Sequence, residues 1–265
     1  MNPQIDDFHV RSPSGQPRGV VLVAHGINFR PSRMNEVEDI FLEQGYTVLR
    51  VILTGHEEDT GNPDWPEVDA HRWLEEIRLF REKGAELAAG KPMYFCGFSL
   101  GGLIGPAEYV CARQDQEVRP GARYRKMILI APAVCLRPWA HILRLFFCRP
   151  QLRLMSLAGK YYDVRPYIPV FAYQALFDLR SLLAARKEQS PALASTPILV
   201  IYDKLDILVS GRAFLRYLAK KQGISAQSAR IYAKNLWHHL VTDRRALGES
   251  GWNRLIADIK SFMEE

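Results

Sequence analysis

The sequence predicts an α/β fold: a mostly parallel central sheet flanked by helices, with an inserted helical cap. Three observations carry this. Continuous β-branched runs at residues 19–24 and 197–202 have the pattern of strands buried on both faces, as in parallel sheets. Segments of helical spacing separate such runs, so strand and helix alternate up to residue 130, which implies right-handed crossovers. The alternation stops at residues 136–190 and resumes after them.

In order, residues 8–12 form a first edge strand closed by the turn Pro13-Ser14-Gly15-Gln16-Pro17. Strand 19–24 ends in His25-Gly26-Ile27-Asn28, a loop whose backbone N–H groups can face a crevice at the carboxyl edge of the sheet. His25 is expected as a structural histidine beneath this loop. Val37, Ile40 and Phe41 mark a helix over 34–44 that Gly45 stops, and strand 46–53 follows. His56 with Glu57, Glu58 and Asp59 belongs to a solvated loop, because sequence neighbours rarely converge on one ion without a defined turn motif. Asp64 is placed as an N-cap with Pro66 in the first turn, opening a long helix with Val68, Trp73, Ile77, Phe80 and Leu87 on one face. Then come strand 93–98, helix 100–113, loop 114–125 and strand 126–130. After the insertion the pattern gives strand 197–202, the loop Asp203-Lys204-Leu205-Asp206 and a helix over 210–221. A strand over 229–233, a loop over 234–240 and a helix over 252–262 close the chain.

Composition excludes several classes. Residues 1–18 hold Asp6, Asp7, prolines and no apolar h-region, so no signal peptide is expected. No uncharged apolar run reaches the roughly 18 residues of a spanning helix. Cys96, Cys111, Cys135 and Cys148 are widely spaced without C-x-x-C, against a zinc ribbon and in keeping with reduced thiols in the cytoplasm. Cys96, in a strand, is expected to fill the core. The net charge of +6 lies wholly in residues 136–190, where nine basic residues face three acidic ones. No zinc-finger, RNP or helix-turn-helix signature accompanies it, so nucleic acid is not an expected partner.

The same segment holds nine aromatic residues. Trp139, Ile142, Leu143, Phe146 and Phe147 share one side of a helical wheel, with His141 and Arg144 opposite. A cap that merely covers the upper edge of the sheet would show this pattern. So would one that lines an apolar pocket, with Trp139 and Phe146 as candidates, or one that touches an anionic membrane surface.

Gly97-Phe98-Ser99-Leu100-Gly101-Gly102 joins a strand pattern to a helix pattern. A serine hydroxyl is a poor nucleophile and needs exposure and a base. A sharp strand-to-helix turn exposes it, and glycines two before and two after let the strand and helix cross closely. At the carboxyl ends of other strands stand Gly26-Ile27, Asp206 and His238, giving the chain order nucleophile, acid, histidine.

On these residues the chain resembles the α/β-hydrolase superfamily, in its serine-aminopeptidase-like, monoacylglycerol-lipase and carboxylesterase branch. The matching pieces are His25-Gly26, Gly55-His56, the Ser99 motif, Pro197-Ile198-Leu199-Val200 with Asp206, and His238-His239-Leu240. They span about residues 18–262, with the cap unmatched. The resemblance implies an α/β-hydrolase core over 1–135 and 191–265, while the break in alternation gives the helical cap over 136–190. It implies Ser99 as nucleophile, His238 as base, Asp206 as its acid, and the N–H groups of Ile27 and Leu100 as an oxyanion hole. His239 competes with His238, since only one of two neighbours can reach Ser99; the family pattern favours the first. Asp203 competes with Asp206 but directly ends the strand, whereas the family acid sits a few residues into the loop. Asp203 also departs from the family, where a small residue such as glycine is usual.

The implied activity is hydrolysis of carboxylic esters with an apolar acyl chain, of monoacylglycerol or lysophospholipid type, through an acyl-enzyme. Thioesters, peptides and acyl transfer to an alcohol use the same chemistry. A reading of another class is a non-catalytic ligand receptor or membrane-associated scaffold, in which a triad member would be expected to be lost. No metal or organic cofactor is implied. The expected location is cytoplasmic, with the cap touching a membrane in one reading.

Overall fold

The computed structural model describes residues 8–56, 65–111, 120–156, 166–185, 190–235 and 237–265. Strands β1 (His9–Arg11), β2 (Val20–Ala24), β3 (Thr47–Val51), β4 (Met93–Phe98) and β5 (Tyr124–Ile130) precede the expected insertion. Within it lie β6 (Arg153–Met155) and β7 (Tyr167–Pro169), and after it β8 (Ile198–Tyr202) and β9 (Gln227–Arg230). Seven strands form one sheet in the order β1-β3-β2-β4-β5-β8-β9, parallel except for the edge pair β1/β3. Every residue of β2, β3, β4 and β8 is buried, as the continuous apolar runs require.

The helices are α1 (Asn35–Glu43), α2 (Ala70–Ala88), α3 (Leu100–Cys111), α4 (Val170–Ala185), the single turn α5 (Pro191–Ala194), α6 (Gly211–Tyr217) and α7 (Arg244–Glu264). From β2 the chain moves outward to β3, then crosses back to place β4 on the other side of β2. That reversal puts the ends of β2 and β4 side by side, with Ala24 opposite Gly97. In open parallel sheets such a switch point is where a crevice opens.

Several boundaries differ from the sequence pattern for physical reasons. Helix α2 is capped by Asp69, whose side chain accepts from the Arg72 N–H; the expected cap, Asp64, lies outside the described residues, as do Glu57, Glu58 and Asp59. Helix α7 begins at Arg244 rather than residue 252 because Asp243 caps it, and its kink at Gly248 (φ 69°) interrupts the apolar spacing. The last strand pairs over Gln227–Arg230 because the ladder with β8 selects those residues, although their side chains are mostly exposed. The described residues of 136–190 are less helical than expected. A 3-10 helix at Pro138–Phe146 is followed by the antiparallel ribbon β6/β7 and then α4, which packs on α3. The ribbon is only three residues per strand, too short to show an alternating pattern.

A buried ion pair ties α3 to α2. Arg81 Nε lies 3.1 and 3.2 Å from the two Glu108 oxygens, and its Nη2 donates to Oε1 at 2.9 Å. Burial raises the Glu108 carboxyl above the ordinary glutamate range, against the pull of Arg81. A raised acid stabilises the fold below its unfolded value, and that contribution drains away as pH rises through the folded value. Arg81→Met should therefore cost about 3 kcal/mol by urea unfolding, with a larger loss at high pH than at low pH, and Arg81→Met/Glu108→Leu should recover most of it.

Candidate active site

Ser99 sits at the β4–α3 junction with φ of 52°, a left-handed conformation that costs a non-glycine residue about 1–2 kcal/mol. Three backbone bonds hold it there. Its N–H donates to the Ile130 carbonyl at 2.9 Å, and its carbonyl accepts from Leu103 at 3.1 Å and Ala133 at 3.0 Å. The flanking glycines permit the crossing: a Cβ on Gly97 would lie 2.4 Å from the Gly101 carbonyl oxygen, and one on Gly101 2.3 Å from the Ala24 oxygen.

A histidine meets this serine, and it is His239. Its Nε2 lies 3.0 Å from Ser99 Oγ and its Nδ1 lies 2.8 Å from Asp206 Oδ2. The other Asp206 oxygen accepts the N–H groups of Leu208 (2.8 Å) and Val209 (3.0 Å), so the carboxylate is held at both ends. An ionised carboxylate only accepts, which places the proton on Nδ1 and leaves Nε2 free to accept from the serine hydroxyl. The expectation that His238 would reach Ser99 is corrected. His238 has a left-handed backbone (φ 52°) and turns its Nδ1 to Asp203 Oδ2 at 2.9 Å. That local turn sends two successive histidines to two different carboxylates, and an alternation pattern in a loop cannot reveal it.

The loop after β2 lies beside the serine. The Gly26 carbonyl accepts from His25 Nδ1 (3.0 Å) and from the Phe29 N–H (3.1 Å), while His56 Nε2 donates to the Ile27 carbonyl at 2.7 Å. In a trans peptide the N–H points opposite to the C=O, so pinning the Gly26 carbonyl also sets the direction of the Ile27 N–H. Leu100 is the first residue of α3, where helical N–H groups lack intrahelical acceptors. The rings of His25 and His56 pack at a tilt with centroids 4.4 Å apart, and Trp65 packs edge-on to His56 at 4.9 Å. Both histidines are buried beneath the loop.

Ser99 and His239 open on a cavity of about 360 Å3. Its wall is mainly apolar, with Phe29, Phe98, Leu143, Leu154 and Trp237 among the lining residues. Trp139 lines it as expected from the wheel, and its indole N–H also donates to the Ile207 carbonyl at 2.5 Å. Phe146 does not; it is exposed, at the last residue of the 3-10 helix, one turn beyond Leu143, the last residue of this helix to line the cavity. One corner is polar: Tyr173 donates to Asn28 Oδ1 at 3.3 Å, and Asn28 Nδ2 donates to Ser156 Oγ at 3.2 Å. Burial pushes the Tyr173 hydroxyl up to about 12, so it stays a donor. Arg137 was likewise silent in the sequence; it donates to the carbonyls of Asp206 (3.0 Å) and Lys204 (3.1 Å) and straps the segment after β5 to the loop after β8. Among the described residues no group of three His, Cys, Asp or Glu side chains converges as a metal site.

A family model described as serine aminopeptidase, S33, matches residues 15–245. Among solved structures, a soluble variant of the monoglyceride lipase of Saccharomyces cerevisiae, bound to a substrate analogue, superposes with a TM-score of 0.74 at 15% identity, over 97% of this chain and 90% of that one. A carboxyl esterase from Bacillus coagulans in complex with glycerol gives 0.69 at 17% identity, over 96% and 92%. The monoacylglycerol lipase of Paleococcus ferrophilus gives 0.67 at 16% identity, over 96% and 99%. The likeness to these structures is one of fold, the α/β-hydrolase fold. No curated protein matches the sequence.

Because the strand and helix touch at Gly97, Gly97→Ala should destabilise the protein by about 3 kcal/mol, a fall in Tm of roughly 6–12 °C. Thermal unfolding checks this, and a Tm unchanged from wild type would refute the close crossing.

Proposed function

The chain belongs to the serine aminopeptidase (S33) family, and on that premise we propose that it is a serine hydrolase cleaving carboxylic esters with an apolar acyl chain. The observation that carries this is the continuous relay Asp206–His239–Ser99 at the wall of an apolar cavity.

In this reading Ser99 Oγ attacks the ester carbonyl carbon while its proton passes to His239 Nε2. Asp206 fixes the imidazole and stabilises its cation. The tetrahedral oxyanion is taken by the N–H groups of Ile27 and Leu100, donors often worth a few kcal/mol each. His239 then gives its proton to the departing alcohol, leaving acyl-Ser99. Water, deprotonated by the same histidine, attacks the acyl carbon, and the carboxylic acid leaves as Ser99 regains its proton. A ligand receptor without chemistry has no need of this relay.

Residues 136–190 act here as the cap over a core of 1–135 and 191–265. The cavity takes the acyl chain, and its volume lies near the small end of ligand pockets. The polar corner of Asn28, Ser156 and Tyr173 suits an alcohol part that carries free hydroxyls, as in a monoacylglycerol; the Bacillus coagulans esterase was crystallised with glycerol. Trp139 and Met155 of the cavity lining are exposed, as are Ile142 and Leu145 between them in the chain, with Arg144, Arg149 and Arg153 on the same segment. Apolar tips among basic residues suit peripheral contact with an anionic membrane from which an apolar substrate is drawn. Among the described residues no helix is long and apolar enough to cross a membrane. The four cysteines are free, which suits a reducing, cytoplasmic location.

Intact mass after fluorophosphonate treatment, with hydrolysis of p-nitrophenyl esters of rising chain length, tests the proposal. Wild type should gain one adduct, Ser99→Ala and His239→Ala none, and both variants should lose roughly 10⁴-fold or more in kcat. No adduct on folded wild type, or one that survives Ser99→Ala, would overturn the reading. Trp139→Ala should reduce turnover of long-chain esters more than of acetate esters; equal losses would remove Trp139 from the acyl site.

A further inference from the structure

We propose that Asp203 and His238 are positioning residues, a second carboxylate–imidazole pair that holds His239 in line with Ser99; this rests on the hydrolase reading above. The acid loop and the histidine loop are joined twice, by Asp203–His238 at 2.9 Å and by Asp206–His239 at 2.8 Å. Between the two pairs the Ile207 N–H donates to the Trp237 carbonyl at 3.2 Å. Only the second pair reaches the serine.

The first pair is built as carefully as the second. The Asp203 side chain is fully buried, and Oδ1 accepts from the Leu205 N–H at 2.8 Å. Oδ2 accepts from the Ala233 N–H at 2.8 Å as well as from His238. One carboxylate therefore ties its own loop, the chain leaving β9 and the histidine loop together. The His238 side chain is 27% exposed, so the core does not depend on its bulk.

What His238 supplies is direction. Its left-handed backbone sends its own ring to Asp203 and the next ring to Ser99. Such a backbone is unfavourable for a histidine and persists when its surroundings hold it. The holding groups are the Asp203 bond and a bond from the His238 N–H to the Asn235 carbonyl at 3.2 Å; the Asn235 side chain closes the loop on the Leu240 carbonyl at 2.7 Å. Asp206 grips only the ring of His239. Its backbone is set by the residues on either side, and a displacement of about 1 Å at a reacting group can cost on the order of 100-fold in rate.

The test compares His238→Ala, His238→Gly, His238→Asn and Asp203→Asn with wild type. Each is titrated with fluorophosphonate to count reactive serines, and kcat and KM are measured per reactive serine on one p-nitrophenyl ester. Glycine accepts the left-handed backbone, whereas asparagine accepts it and can also donate to Asp203. We expect His238→Ala to keep about one reactive serine per chain, with kcat per site down about 10- to 100-fold and KM within about twofold. His238→Gly should fall between alanine and wild type, and His238→Asn should return to within about threefold of wild type. Asp203→Asn should match His238→Ala.

Wild-type kcat per site in His238→Ala, or asparagine no better than alanine, would overturn the assignment while leaving the hydrolase reading intact. A fall confined to the number of reactive serines would also overturn it, since that is loss of folded protein. A wild type that is folded but never labelled would overturn the hydrolase reading and this assignment with it. If Asp203→Asn fails to fold, the three substitutions at the half-exposed His238 carry the decision.

Discussion

A serine held at φ 52° between a strand and a helix that touch each other is the constraint on which the site depends. The strain is sustained because Ile130, Leu103 and Ala133 bond the Ser99 backbone from three directions. It also requires that β2, β4 and β5 end together. Their register supplies this, with Ala24 opposite Gly97 and Phe98 opposite Ile130. The buried sheet therefore acts as a jig: its apolar residues set where three strands stop, and the stopping points place the serine, the loop after β2 and the first turn of α3 within reach of one another.

The opposite wall of the site is made by two loops rather than by the sheet interior. Buried carboxylates at Asp203 and Asp206 each accept three hydrogen bonds and so organise the loops that carry them. A buried carboxylate is stable only when its oxygens are satisfied, and here satisfying them is the same act as fixing the loops. Arg137 and Trp139 extend this order outward by bonding the backbone of the loop after β8, so the segment that begins there and the proposed triad share one frame.

The cavity joins that frame to substrate choice. Its apolar wall mixes residues of the core with Leu143 and Leu154 of the segment above, whereas its polar corner draws Asn28, Ser156 and Tyr173 from three separate parts of the chain.

The sequence by itself determined the central sheet, the order of its flanking helices and the strand-to-helix serine turn, because continuous apolar runs and paired glycines are local signals of buried strands and close crossings. Asp206 is preferred to Asp203 only on the resemblance to the family, and in the structure both carboxylates meet a histidine. The sequence did not determine which of two neighbouring histidines faces Ser99, since that choice is the sign of one backbone angle at His238, held by contacts with Asp203 and Asn235 that lie far off or out of register in the chain. Phe146 is exposed and does not line the cavity: a helical wheel gives the side of a helix on which a residue lies, not how far along it a cavity reaches, and here the lining stops at Leu143. The roles of His56, Arg137 and the Asn28–Ser156–Tyr173 corner exist only where distant segments meet, so tertiary structure alone decided them.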